Sequence, residues 1–285
     1  MNLRRAPLLA ACVLLASCSA VRMAYDNADT ALRFMASSYL ELDAAQAEDM
    51  RQRIVQFHEW HRRSEVPAYA RLMRSASERA ARGITTEDVA WGLESVRSRY
   101  RKFASKAAED AAPVLVTLAP AQITALERKF ADNNEKFEKE FLPADESKRR
   151  RAQAKRMLER FRDFAGELTV DQEARIELFA LAHERHVALR FEDRRNLQHD
   201  LVAAIKTHHQ TQELGATLAA IFARPERRRT EAFVREDRAW DDALAQLIVE
   251  LDRSLSPKQR AHVVGRLSDY ANDFAALAGE KKEAA

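Results

Sequence analysis

Two pairs of histidines stand one helical turn apart in this chain, His58 with His61 and His183 with His186. Residues three apart share a helical face, so each pair could turn two imidazoles toward one metal ion. His183 also falls on an apolar stripe between Phe179 and Val187, where a buried or boundary histidine is the expected reading. Asn133 and Asn134 straddle another stripe between Phe130 and Phe137. An amide turned into a bundle must find a polar partner or cost about 1–3 kcal/mol. Asn133, Asn134 and His183 are therefore the candidate binding residues. Beyond them the chemistry thins. There is no Gly-rich phosphate loop, nucleophile elbow, zinc-type Cys pattern or His-Glu-x-x-His, and no Glu-x-x-His pair of the helical di-iron kind. No catalytic residue, metal or cofactor is expected, and the chain is not expected to be an enzyme.

The most repeated chemistry is that of helix capping. Leu42-Asp43-Ala44-Ala45-Gln46, Leu118-Ala119-Pro120-Ala121-Gln122, Leu168-Thr169-Val170-Asp171-Gln172 and Leu255-Ser256-Pro257-Lys258-Gln259 share a Leu, a helix start and a Gln. Ser or Thr followed three residues later by Gln is a capping box. The hydroxyl accepts from the amide at the third helical position, and the Gln side chain reaches back to the cap residue's amide. Thr169 with Gln172 and Ser256 with Gln259 are complete boxes; Asp43 is the alternative cap ahead of Gln46. Ala119 has no acceptor, so the copy with Gln122 is degenerate. Pro120 and Pro257 take the first helical position, where a missing donor costs nothing. Each cap contributes about 0.5–2 kcal/mol, a structural role.

Those boxes punctuate a helical chain. Of 285 residues, 46% are hydrophobic, enough for a core, while only 6 are Gly and 7 Pro, too few for the turns of a sheet protein. Apolar residues recur at helical spacing in nearly every segment. After Gln122 come Leu126, Phe130 and Phe137; Val89, Leu93, Val96, Tyr100, Phe103 and Ala107 alternate four and three. The expectation is an all-α, elongated antiparallel helical bundle of about eight to nine helices. Pro67 should bend or interrupt the helix capped by Asp43, a break is expected between Phe191 and Leu201, and Pro225 should begin another helix. The offsets of Leu126, Phe130 and Phe137 from Gln122 recur as Val263, Leu267 and Phe274 from Gln259. Asp88 precedes Gln122 by 34 residues and Glu226 precedes Gln259 by 33. Two duplicated halves, roughly 40–142 and 166–279, would explain both; convergence of capped helices is the alternative.

The amino terminus carries an address. Arg4 and Arg5 precede a short apolar run ending at Ala16 and Ser17, too short to span a bilayer, which needs ~20 residues. Residues 1–17 read as a signal peptide, and Leu15-Ala16-Ser17-Cys18 matches the bacterial lipobox, in which Cys18 is acylated and becomes the new amino terminus. Cys12 lies in the leader, so no internal disulfide remains. Acylated Cys18 anchors the chain to a membrane through a tether over 18–24, followed by a helical domain over 25–279 and a frayed tail over 280–285. By resemblance to enterobacterial lipoproteins, Ser19 favours the outer membrane, facing the periplasm. With the leader removed, 45 basic side chains face 44 acidic ones, which argues against a nucleic-acid partner.

The repeated opening resembles the Leu-Thr-x-x-Gln motif of small periplasmic chaperones of the Spy and CpxP type, which are helical and bind unfolded clients on a concave surface. The chain also resembles an uncharacterised family of bacterial lipoproteins. That family pairs a Tyr-x-Asn-Ala-Asp stretch, here Tyr25 to Asp29, with a Trp-His-Arg-Arg-x-x-x-Pro segment, here Trp60 to Pro67. This resemblance implies fold and envelope location and supplies no activity. The functional expectation is a membrane-anchored, non-enzymatic binding protein, chaperone-like toward envelope proteins or unfolded clients. The alternatives are a passive structural spacer, or an envelope hydrolase whose carboxylates meet only in the fold.

Overall fold

A computed structural model describes residues 21–279. The leader, Cys18 and the tail from residue 280 lie outside the described residues. Those described are all-helical, without a strand. After a helical stretch over 21–26 come eleven α-helices: α1 (Ala28–Leu40), α2 (Ala44–Ser64), α3 (Val66–Arg82), α4 (Thr86–Leu115), α5 (Pro120–Phe141), α6 (Glu146–Ala165), α7 (Val170–Ala182), α8 (Glu184–Thr207), α9 (Thr211–Ala223), α10 (Glu231–Ser254) and α11 (Pro257–Leu277). None is long and apolar enough to cross a membrane.

Local chemistry explains most boundaries. Asp43, Thr85, Thr169 and Ser256 each accept from the amide three residues on, and the side chain at that position returns the bond. Ala119 makes no side-chain cap, yet Gln122 Oε1 still accepts from its amide at 2.9 Å, so the degenerate copy keeps half the box. Gly83, at φ +96°, and Gly166, at φ +75°, turn the chain after α3 and α6 in a region closed to most side chains.

The count of eight to nine helices is corrected to eleven among the described residues, for reasons that side-chain periodicity does not carry. Pro67 divides α2 from α3 at Glu65, the single residue between them. No break falls between Phe191 and Leu201: α8 is continuous, and the chain turns instead at His183 and again across 208–210. Pro225 opens only a 3-10 turn, Pro225–Arg227, because Thr230 supplies the cap that starts α10, its Oγ1 accepting from Phe233 N at 3.2 Å. Glu226 is therefore not the counterpart of Asp88, which closes the capping box of α4.

Two apolar cores result. One gathers Met50 and Ile54 of α2, Ala112 and Val114 of α4, Ile123 and Leu126 of α5, Val202 and Ile205 of α8, and Leu214 and Leu218 of α9. The other joins Leu158 of α6, Ile176 and Phe179 of α7, and Leu244, Leu247 and Leu251 of α10. The two expected halves are interleaved: α3 runs along α11 and α4 along α9. Where α4 passes α9, Gly215 lets the helices close, since a Cβ there would meet the Ala112 Cβ at 3.4 Å.

Candidate functional site: paired glutamines, a clamped segment and two grooves

The four glutamines of the repeated opening meet in pairs. Gln46 and Gln122 face each other across the starts of α2 and α5, with Gln122 Nε2 donating to Gln46 Oε1 at 2.7 Å. Gln172 and Gln259 do the same across α7 and α11, at 2.8 Å from Gln259 Nε2 to Gln172 Oε1. Each Oε1 also accepts from its own cap residue's amide. The remaining donors match bond for bond. Gln46 Nε2 reaches the carbonyl and hydroxyl of Thr117, and Gln172 Nε2 reaches the carbonyl and hydroxyl of Ser254. Gln122 Nε2 reaches Glu41 O, and Gln259 Nε2 reaches Glu167 O. Gln46 and Glu41 lie 126 residues before Gln172 and Glu167, and Thr117 and Gln122 lie 137 before Ser254 and Gln259. The difference is burial: Gln172 and Gln259 are 1% and 8% exposed, whereas Gln46 and Gln122 are half-buried.

A second cluster assembles the two stretches on which the lipoprotein resemblance rests. Tyr25 lies between His58 and His61: its hydroxyl bonds His61 Nδ1 at 2.9 Å, and its carbonyl accepts from His58 Nε2 at 3.2 Å. His61 Nε2 meets the Tyr69 hydroxyl at 3.3 Å, so with the ring neutral one nitrogen accepts and the other donates. Burial pushes the Tyr25 hydroxyl up to about 12 and holds His61 below its ordinary value, with Glu65 pulling back and His58 adding to the fall. Glu65, fully buried at the α2–α3 junction, is paired with Lys102 at 2.5 Å and Arg99 at 3.3 Å. Arg62 pairs with Asp26 at 2.7 Å, and Arg22 with Asp273 of α11 at 3.2 Å. The cluster clamps the segment before α1 onto the body. Its histidines turn to Tyr25 instead of converging on a shared point. Among the described residues, no group of three or more His, Cys, Asp or Glu side chains is placed to hold a metal ion.

His183 and His186 diverge as well. His186 is buried, bonds Asp237 Oδ1 at 3.1 Å and stacks on Trp240 with centroids 4.9 Å apart. Burial pushes the Asp237 carboxyl up, but the His186 bond and the Arg229 and Arg97 charges outweigh it and hold it below the usual range. His183 caps the α7–α8 turn beside Phe179, its Nδ1 3.7 Å from Glu236. Asn133 donates to the Tyr39 hydroxyl at 2.6 Å, and Asn134 to Gln198 Oε1 at 2.6 Å with a return bond of 3.3 Å. Both amides are thus matched to neighbouring helices, and Asn134 and Gln198 also line a polar groove between α5 and α8.

Two apolar grooves complete the picture. The first, about 360 Å³, lies between α1, α2 and α4, with Met35, Met50, Ile54, Phe103, Ala107 and Ala111 among its walls. The second, about 390 Å³, lies between α6, α10 and α11, with Phe161, Phe164, Trp240, Leu244, Ile248 and Leu267 among its walls. Their walls share the offsets of the glutamine pairs. Phe103, Ala107 and Ala111 stand 137 residues before Trp240, Leu244 and Ile248, and Met35 stands 126 before Phe161. The third wall differs, being α2 in the first groove and α11 in the second. Sequence reasoning named neither groove nor clamp. Extending the comparison backwards from Gln122 and Gln259 would have paired Phe103 with Trp240. His186 braces Trp240 from behind the second groove, a role its apolar neighbours do not announce.

Residues 38–234 match a family described as of unknown function, DUF6279. No curated protein and no solved structure matches.

Proposed function

The chain belongs to the DUF6279 family of unknown function, and we propose that it is a lipid-anchored envelope protein that works by binding, not catalysis. It holds apolar side chains of unfolded envelope polypeptides in two matched grooves. The observation that carries this reading is the pair of grooves built from equivalent positions, each of a size that takes a small apolar group, within the ~300–1,000 Å³ of ligand pockets. Both have aromatic or aliphatic side chains at an open rim, Met35 52% exposed and Phe164 42% exposed. A buried apolar side chain contributes about 1.5–3 kcal/mol, so two grooves on one body hold a client weakly and release it.

The anchor fits the same reading. The lipobox would attach the chain at Cys18, in the outer membrane by the Ser19 resemblance. Four residues reach at most about 14 Å, so the clamp from Arg22 to Tyr25 would keep the body close to the lipid surface. Gln46 and Gln259 fix the starts of α2 and α11, one wall of each groove, through their pairing with Gln122 and Gln172, which gives the likeness to the Leu-Thr-x-x-Gln chaperones a structural role. The matching of bonds and walls at two constant offsets is the pattern that a duplicated ancestral half would leave.

Light scattering of a heat-unfolded client, with and without the full chain carrying Cys18→Ser, tests the function. Suppressed aggregation that is lost in Met35→Glu/Phe164→Glu supports it. Those two positions are exposed, so the fold should persist, and circular dichroism checks that it does. Unchanged scattering across several clients, or full activity in the double variant, would leave a passive spacer as the better account.

A further inference from the structure

The two grooves differ in one chemical respect. The polar side chains along the first are engaged: Arg53 pairs with Asp49 at 2.9 Å and Asp110 with Lys106. Along the second, Asp252 is engaged too, accepting from Arg260 at 2.9 Å and from the Ile84 amide at 3.1 Å. Arg160 is not. It lines the second groove, is exposed, and makes no ion pair or hydrogen bond among the described residues. An apolar trough with one unpaired guanidinium beside it is complementary to a molecule with an apolar body and one anionic end.

The walls narrow the choice further. An extended peptide lying along the trough would bring an amide and a carbonyl per residue against Phe161, Trp240, Leu244, Ile248 and Leu267, whose one polar group, the Trp240 indole N–H, can answer a single carbonyl and no amide. A hydrocarbon chain carries no such groups. A planar guanidinium matches a carboxylate with two parallel hydrogen bonds. A cavity of about 390 Å³ has room for a single chain. We propose that the groove between α6, α10 and α11 is a binding site for one long-chain fatty acid, its alkyl chain along Trp240, Leu244 and Ile248 and its carboxylate on Arg160. This rests on the reading of the grooves as binding sites and adds a ligand to it. Side chains of a client can still dip in at the Phe164 rim; only a ligand without backbone amides can fill the trough.

The experiment is calorimetric titration of the purified full chain carrying Cys18→Ser with oleate below its micellar concentration. Oleyl alcohol, a monomeric anionic phospholipid and an extended apolar peptide serve as parallel arms. One oleate site is expected, weakened about tenfold by Arg160→Glu. Oleyl alcohol should bind weakly and equally to both proteins. Leu267→Trp, which fills the trough, should abolish the heat of both, with circular dichroism confirming the fold. The inference is overturned if oleate binding is absent, if it is indifferent to both Arg160→Glu and Leu267→Trp, or if the phospholipid or the peptide binds more tightly than oleate at this groove. Peptide binding without oleate binding overturns only the fatty-acid assignment, whereas no binding in any arm overturns the reading of the grooves as well.

Discussion

Replacing Gln172 by leucine separates what a glutamine does as a cap from what it does as half of a buried pair. Its Oε1 accepts from Thr169 N at 3.0 Å and Gln259 Nε2 at 2.8 Å, and its Nε2 donates to Ser254 and Gln259. Leucine removes all of these at similar volume. Losing the cap bond costs about 1 kcal/mol. Gln259, itself 8% exposed, keeps Ser256 N and Glu167 O but loses both bonds to Gln172, and the Ser254 carbonyl loses its donor; together these cost about 2 kcal/mol more, because water cannot replace the missing partner. The expected total is about 3 kcal/mol. Gln46→Leu deletes the same bonds in the other pair, yet Gln46 and Gln122 are half-buried and water can serve the survivor, so about 1 kcal/mol is expected. Removing both heads at once leaves no half of the pair behind, only the backbone groups that the two heads had served at Thr169, Ser254, Ser256 and Glu167. Gln172→Leu/Gln259→Leu should therefore cost well under the sum of its single changes, with a coupling of about 1–2 kcal/mol. Urea unfolding followed by circular dichroism and by tryptophan fluorescence gives these numbers where the two transitions coincide. Equal losses for Gln172→Leu and Gln46→Leu, within about 0.5 kcal/mol, or strict additivity in the double variant, would refute the reasoning.

Three further outcomes follow, one from the proposed anchor and two from the geometry of the clamp. Cys18→Ser should abolish palmitate labelling and release the protein from sedimenting membranes; labelling that persists would remove the anchor. Lys102 and Arg99 are half-exposed while Glu65 is fully buried, so Lys102→Ala/Arg99→Ala strands a carboxylate and should cost about 3–5 kcal/mol, seen as a fall in the urea midpoint. The third is a pH dependence. His61 sits below its ordinary value, chiefly through burial, so the unfolded chain takes up a proton that folded His61 refuses. That contribution to stability is complete above pH ~6.5 and is lost as pH falls toward the folded value, with a slope of at most about 1.4 kcal/mol per unit. His61→Gln should flatten the profile in that window; the lowered carboxyls, such as Asp237 and Glu184, act only in more acid solution.

Helices were legible in this sequence because each turn of stripe and cap is a local signal. Thr169, Gln172, Ser256 and Gln259 announced their boxes within four residues. Straddling their stripe, one of Asn133 and Asn134 had to face a neighbouring helix and find a polar partner; both do, in Tyr39 and Gln198. What stayed hidden was set by distance along the chain. That Gln46 would meet Gln122, 76 residues on, depends on how α2 and α5 are brought together, and no spacing within either helix encodes it. The turn at His183 was hidden for another reason: Phe179, His183 and Val187 keep helical spacing straight across it. Tyr25 and Trp60 to Pro67 stood out only by resemblance, and their place in the fold, a segment clamped through His58, His61 and Arg62, needed three dimensions.

The central claim is that two equivalent grooves each bind an apolar group, and stoichiometry tests it most directly. Titrating the full chain carrying Cys18→Ser with an apolar fluorescent dye should give two sites. Met35→Glu should remove one site and Phe164→Glu the other, with none left in the double variant. Two sites that persist through both substitutions, or a single site indifferent to either, would contradict it.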